Sequence, residues 1–242
     1  MKKLFFRTGL AAGTLGIVVA GAAAFSAFEA HVVNVTATIE NATNISTTAL
    51  TYGTVFPEEW LHQFVTLDLS SSFLAEDNVT GLDYHIRQKP KCSDGEGHYE
   101  AVVDVLNQDG KPVSFACPDN GFTMLPLLCP FLSKHPVSTQ TDPIQNDGSL
   151  DSFHGPTSTP DWTPAVAASL QVEGHLVKQT DPSDTWDIDL HVPCFAGQCA
   201  QDNMVPPAYQ IDPHLNHAQF GCDLWYEVSG VNRPTTTPQL PL

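Results

Sequence analysis

Two carboxylates and an imidazole at every second position, Asp187, Asp189 and His191, are the nearest approach to a metal constellation in this sequence. At period two they would project from one face of a strand, opposite Trp186, Ile188, Leu190 and Val192. Such a face suits a divalent cation. The same alternation also describes an ordinary half-buried strand with its polar side in water, and that solvated face is the expected reading. His214 and His217 stand three apart, but Pro213 and Asn216 make their stretch a loop or short turn rather than a ligand-bearing helix. No H-E-x-x-H helix, G-x-S-x-G elbow or G-x-x-x-x-G-K-[ST] loop occurs. No catalytic residue is assigned, no cofactor is expected beyond that possible cation, and the chain reads as a non-enzyme.

The six cysteines, Cys92, Cys117, Cys129, Cys194, Cys199 and Cys222, form an even set that reads as a disulfide framework of an oxidising compartment. Their clustering suggests local pairing within Cys92, Cys117 and Cys129, and again within Cys194, Cys199 and Cys222. Zinc is the competing chemistry. The spacing Cys194-x4-Cys199 lacks a second close Cys or His pair to complete a tetrahedral site.

The elements that must position these residues are strands. Apolar side chains alternate at Val33, Val35, Ala37 and Ile39, at Val65, Leu67 and Leu69, and at Leu82, Tyr84 and Ile86. They do so again over Trp186–Val192 and at Cys222, Leu224, Tyr226 and Val228, with a shorter candidate at Val102, Val103 and Val105. The run from Val166 to Val177 reads as strand, although its Ala167, Ala168, Leu170 and Val172 would also suit the start of a helix. Turn-formers separate the runs: Asp109-Gly110, Asp119-Asn120-Gly121, Asn146-Asp147-Gly148 and Asp181-Pro182. Nineteen prolines argue against long helices. The expectation is one all-β domain over 25–232, a β-sandwich in which 89–164 is a loop-rich, disulfide-braced insertion. The segment 233–242, RPTTTPQLPL, reads as a flexible tail.

Composition narrows the partners. Lys+Arg 10 against Asp+Glu 27 gives a net charge of −17, which repels phosphate backbones and anionic lipid surfaces, so nucleic acid and peripheral membrane binding are poor readings. Lys2, Lys3 and Arg7 precede an uncharged Ala/Gly-rich run from Thr8 to Phe28, the pattern of an export signal over 1–24. Ala22 and Ala24 form an A-x-A site that places the cut before Phe25. The alternative is a retained anchor, since an uncharged run of this length just spans a bilayer. Four N-x-S/T sequons, at Asn34, Asn41, Asn44 and Asn78, crowd the N-terminal third and offer glycosylation as a weak option.

The stretch LAAGTLGIVVAGAAAFSAFEAHVVNVTATIENA, with Phe25-Ser26-Ala27 just after the cut, resembles the N-termini of the TasA and camelysin group. The similarity continues more weakly through GTVFPEEWLHQFVTLDLSSSF and covers about the first third of the chain. The cysteine-containing segments have no counterpart in TasA itself. The resemblance implies cleavage by a SipW-type signal peptidase and a jelly-roll-like sandwich that self-associates into extracellular fibres or pili of a biofilm matrix. It also implies donor-strand complementation, in which one subunit's freed N-terminal strand enters the next. Here 25–40, with Val33, Val35, Ala37 and Ile39 on its apolar face, is the candidate donor. On the residues alone, pairing within its own domain is an equal alternative. The other readings are a membrane-anchored monomeric surface binding module and a camelysin-like metalloprotease.

Overall fold

The structure is a computed structural model that describes residues 38–137, 149–200 and 204–234. The expected signal helix, donor residues Val33, Val35 and Ala37, the turn at Asn146 and the tail from 235 onward lie outside the described residues. The chain divides after Ile39, and every described strand belongs to the second unit, Glu40–Leu242.

Period-two alternation builds two antiparallel sheets. The first has the order β1 (Thr43–Ile45), β2 (Trp60–Leu69), β11 (Ser183–His191), β9 (His135–Pro136). In the second, β3 (Gly81–Lys89) lies between β10 (Val172–Val177) and β12 (Asp223–Asn232). Successive long strands change sheets, β2 to β3 and then β10 to β11 to β12, which gives the sandwich its jelly-roll-like wiring. Between β2 and β3 runs a one-turn helix α1 (Ser71–Ala75), whose Ser70 cap accepts the Phe73 N–H at 3.1 Å.

The inward faces meet in one core. Val65, Leu67 and Leu69 of β2 and Trp186, Ile188 and Leu190 of β11 pack with Leu82, Tyr84 and Ile86 of β3 and Val172 and Leu176 of β10. Burying each such aliphatic side chain contributes roughly 1.5–3 kcal/mol. The polar tips of the two large rings are satisfied inside it: the Trp186 indole N–H donates to the Tyr84 hydroxyl at 2.7 Å, and that hydroxyl donates to Asp184 at 2.6 Å. Opposite Tyr84 stands Gly174, where a Cβ would lie 2.2 Å from the phenol ring. Only glycine lets the ring lie there.

The segment 89–164 is loop-rich and disulfide-braced, and it carries short strands as well. Of these, β4 (Lys91–Ser93) pairs with both β5 (Tyr99–Ala101) and β8 (Thr123–Met124), and β6 (Val103–Leu106) forms a hairpin with β7 (Pro112–Ala116). These strands enclose a second, smaller core of Cys92, Val102, Phe115, Leu127, Cys129, Trp162 and Ala167. β6 answers to the short candidate at Val102, Val103 and Val105; the other strands here, of two to five residues, are too short for alternation to show in the sequence.

The run 166–177 also divides. Thr163 caps a helix α2 (Pro164–Ser169) by accepting the Val166 N–H at 3.3 Å, Pro164 opens its first turn, and β10 begins only at Val172. The disulfides are Cys92–Cys117, Cys194–Cys199 and Cys129–Cys222. Two are local as expected. The third joins the two clusters, because a group of three cysteines always leaves one over.

Candidate functional site

β2 has two different faces. Its Val and Leu residues enter the core, while Trp60, His62 and Phe64 alternate outward, with Trp60 50% and Phe64 57% exposed. Strand pairing sets the expected trio directly against them: Asp187 opposite Phe64, Asp189 opposite His62, and His191 opposite Trp60. The structure therefore brings Asp187, Asp189 and His191 to one sheet face, but it is not the solvated face that alternation suggested. Asp189 and His191 are buried.

Their partners explain the burial. The Ser133 hydroxyl donates to Asp189, and His135 Nε2 lies 3.5 Å from the same carboxylate, both from the segment that carries β9. The His191 ring is covered by Trp60, stacked at 3.9 Å between centroids and 25° between planes, and meets the edge of Phe153 at 4.6 Å. Burial pushes the His191 imidazole below its ordinary value, against the opposing pull of Glu58 and Asp189. Asp187 remains half-buried and pairs with His62 Nδ1 at 2.9 Å. Each member of the trio thus answers to a different neighbour. Among the described residues no three His, Cys, Asp or Glu side chains are grouped to hold a metal ion. His214 and His217 lie in the loop expected for them, His214 in a 3₁₀ turn and His217 at φ 67°.

The edge of β2 is the second feature. The Ser133 N–H donates to the Asp189 carbonyl and the Val137 N–H to that of Thr185, so alternate residues of β11 turn their main-chain groups toward β9. Residues directly opposite in an antiparallel pair share that sense, so Thr66, Phe64 and His62 turn theirs away from β11. At Thr66 both groups are taken: its carbonyl accepts from the Ser46 N–H and its N–H donates to the Ser46 hydroxyl, each at 2.9 Å. β1 pairs only with Leu67–Leu69. The N–H and C=O of His62 and Phe64 therefore face a bare edge among the described residues. The end of the expected N-terminal strand, Thr38–Glu40, is irregular rather than extended into the sheet, and Ile39 is 94% exposed.

The outward face of the second sheet holds an open concavity of about 450 Å³ lined by Asp83, Tyr84, Glu173, Gly174, His175 and Ser229. Of its charged groups, His175 is engaged with Asp83 at 2.5 Å; one row along, outside the lining, His85 pairs with Glu227 at 2.7 Å. Trp60, His62 and Phe64 are not singled out by any motif or spacing in the sequence. The available signal was two aromatics out of phase with the core residues of their own strand.

All six cysteines are bonded and none is free, the chemistry of an oxidising compartment. Compared with protein-family models, curated proteins and solved structures, the chain has no significant match.

Proposed function

We propose that this protein is a secreted structural subunit that assembles into fibres at the cell surface or in an extracellular matrix, one copy donating its N-terminal strand to the next. The observation that carries the reading is the bare edge of β2 at His62 and Phe64, beside a β1 of only three residues. An unpaired sheet edge is a template for an added strand: main-chain hydrogen bonds supply affinity and alternate side chains supply register. The alternating segment Val33, Val35, Ala37 and Ile39 has the pattern such a donor needs. Head-to-tail donation does not close on itself, so it yields a filament. The reading contains no catalytic step and needs no metal. A monomeric surface binding module is the second reading, and the exposed aromatics on β2 are what favour it.

Negative-stain microscopy of the purified exported protein, with three variants beside it, tests the proposal. Deleting 25–40 should leave a soluble, unpolymerised domain that the missing segment, added as a peptide, stabilises. Val35→Asp should stop fibre growth, since its carboxylate would have to enter the acceptor's core. His62→Pro should do the same from the acceptor side, because it removes one edge N–H that the monomer does not use. If Val35→Asp unfolds the monomer instead, the strand belongs to its own domain and donation is wrong.

A further inference from the structure

The aromatic row of β2 does something that strand addition leaves unexplained. An added strand would lie in the plane of the sheet, whereas Trp60 and Phe64 look out of that plane. Trp60 is stacked nearly parallel on His191, which is itself buried against Phe153, so one face of the indole is covered and the other is turned to solvent. It is a flat, supported platform rather than a loose side chain. Phe64 stands four residues along the same strand, about 13 Å away, on the same outward face. Between them His62 is half-exposed, its Nδ1 bound to Asp187 and its Nε2 without a partner among the described residues. Glu58, exposed beside His191, adds a carboxylate at the Trp60 end, its main chain fixed at φ 68° by an N–H donated to the Val192 carbonyl.

We propose that this face binds a linear polysaccharide carrying free amino groups, whose sugar rings stack on Trp60 and Phe64 while an ammonium group pairs with Glu58 at the Trp60 end. Two exposed rings in line along a strand fit a long, straight ligand that repeats a flat face of its own, and the C–H faces of pyranose rings do so. Charge selects the kind of glycan. A chain of net charge −17, with the exposed Glu58 at one end of the row, repels uronate, sulfate and phosphate polymers and attracts a cationic one. The imidazole between the rings offers a hydrogen-bonding group to sugar hydroxyls. The proposal does not depend on fibre assembly.

Titration of the whole exported protein with a glucosamine oligomer, followed by calorimetry and tryptophan fluorescence in mildly acidic low-salt buffer, tests it. Saturable binding is expected, weakened roughly tenfold or more by Trp60→Ala or Phe64→Ala. The N-acetylated oligomer should bind less well, and Glu58→Gln should erase that preference. Tyr99→Ala, at an exposed ring elsewhere, should change nothing. Because Trp60 covers His191, melting curves accompany every variant, and Phe64→Ala decides if Trp60→Ala fails to fold. Absence of binding, or ring variants that bind like the parent, would overturn the proposal. So would equal affinity for the uncharged oligomer, ring-dependent capture of a lysine-rich peptide in its place, or a dimer in sedimentation that Phe64→Ala abolishes. Deleting 25–40 should leave glycan binding intact, which separates failure here from failure of donor-strand assembly.

Discussion

Lys134 is fully buried, and among the described residues its Nζ donates only to carbonyls, Ile86 at 3.3 Å and Leu170 at 3.4 Å. With no carboxylate among those partners to hold the charge, burial pushes the amine from its ordinary 10.5 to about 7. Nearby, burial pushes His154 down to about 4. Its Nδ1 donates to the Asp151 carbonyl at 2.6 Å, and its Nε2 lies 2.9 Å from Gln88 Oε1; a neutral ring that donates at Nδ1 accepts at Nε2, which calls for the Gln88 amide turned over so that its nitrogen donates. Turning the amide over would also give a partner to the Gln88 nitrogen, which is buried without one. Both groups are bases held neutral in the fold, so the unfolded chain binds more protons wherever the two states differ. Stability should fall as pH drops from 10.5 to about 7 through Lys134, and again from 6.5 to about 4 through His154. Thermal melts across pH check this, and Lys134→Met should flatten the alkaline slope alone. Asp189→Ala should cost about 1–3 kcal/mol in denaturant unfolding, because Ser133 and His135 lose their acceptor. On a solvated face the loss would stay within about 0.5 kcal/mol.

Elements here are held by crosslinks whose reach differs widely. Cys194–Cys199 spans five residues of sequence and Cys92–Cys117 spans 25, whereas Cys129–Cys222 spans 93 and ties the insertion to the strand that closes the second sheet. Loop-closure entropy rises with the span, so replacing Cys129 and Cys222 by Ala should destabilise by roughly 4–5 kcal/mol, and removing Cys194–Cys199 by clearly less. Denaturant melts of the two double variants give the order directly, and equal losses would show that strain rather than chain entropy sets the effect. Cys129 belongs to the small core and Cys222 packs against both cores, so this bridge should also couple their unfolding into one transition. Thiol labelling of the unfolded, unreduced protein should find almost no reactive cysteine.

For the molecule as a whole, the net charge of −17 opposes any contact between copies. Fibre growth under the proposed function should therefore accelerate as salt rises from low to physiological ionic strength, where the screening length shrinks to about 8 Å. Binding of an amino-bearing glycan should respond in the opposite sense, since screening weakens attraction as well as repulsion. Light scattering for the first and calorimetry for the second, across one salt series, set the two interactions against each other. A pair of curves moving together would mean that charge does not govern both.

Alternation along β2, β3 and β11 was enough to read the long strands, because a side-chain period of two is written wherever one face is buried. Cysteine count and charge balance likewise gave the oxidised framework and the classes of partner to exclude. Local periodicity has no power over what lies above a sheet. It put Asp187, Asp189 and His191 on one face, but only the return of Ser133, His135 and Phe153 over that face decided that Asp189 and His191 are buried. The same holds for Trp60, which stands exposed because His191 fills the space beneath its ring. The smaller core is assembled from strands of two to five residues, a helix and two disulfides that meet only in three dimensions. The bare edge at His62 and Phe64 depends on where β1 stops pairing, a matter of register between segments that no single stretch of sequence contains.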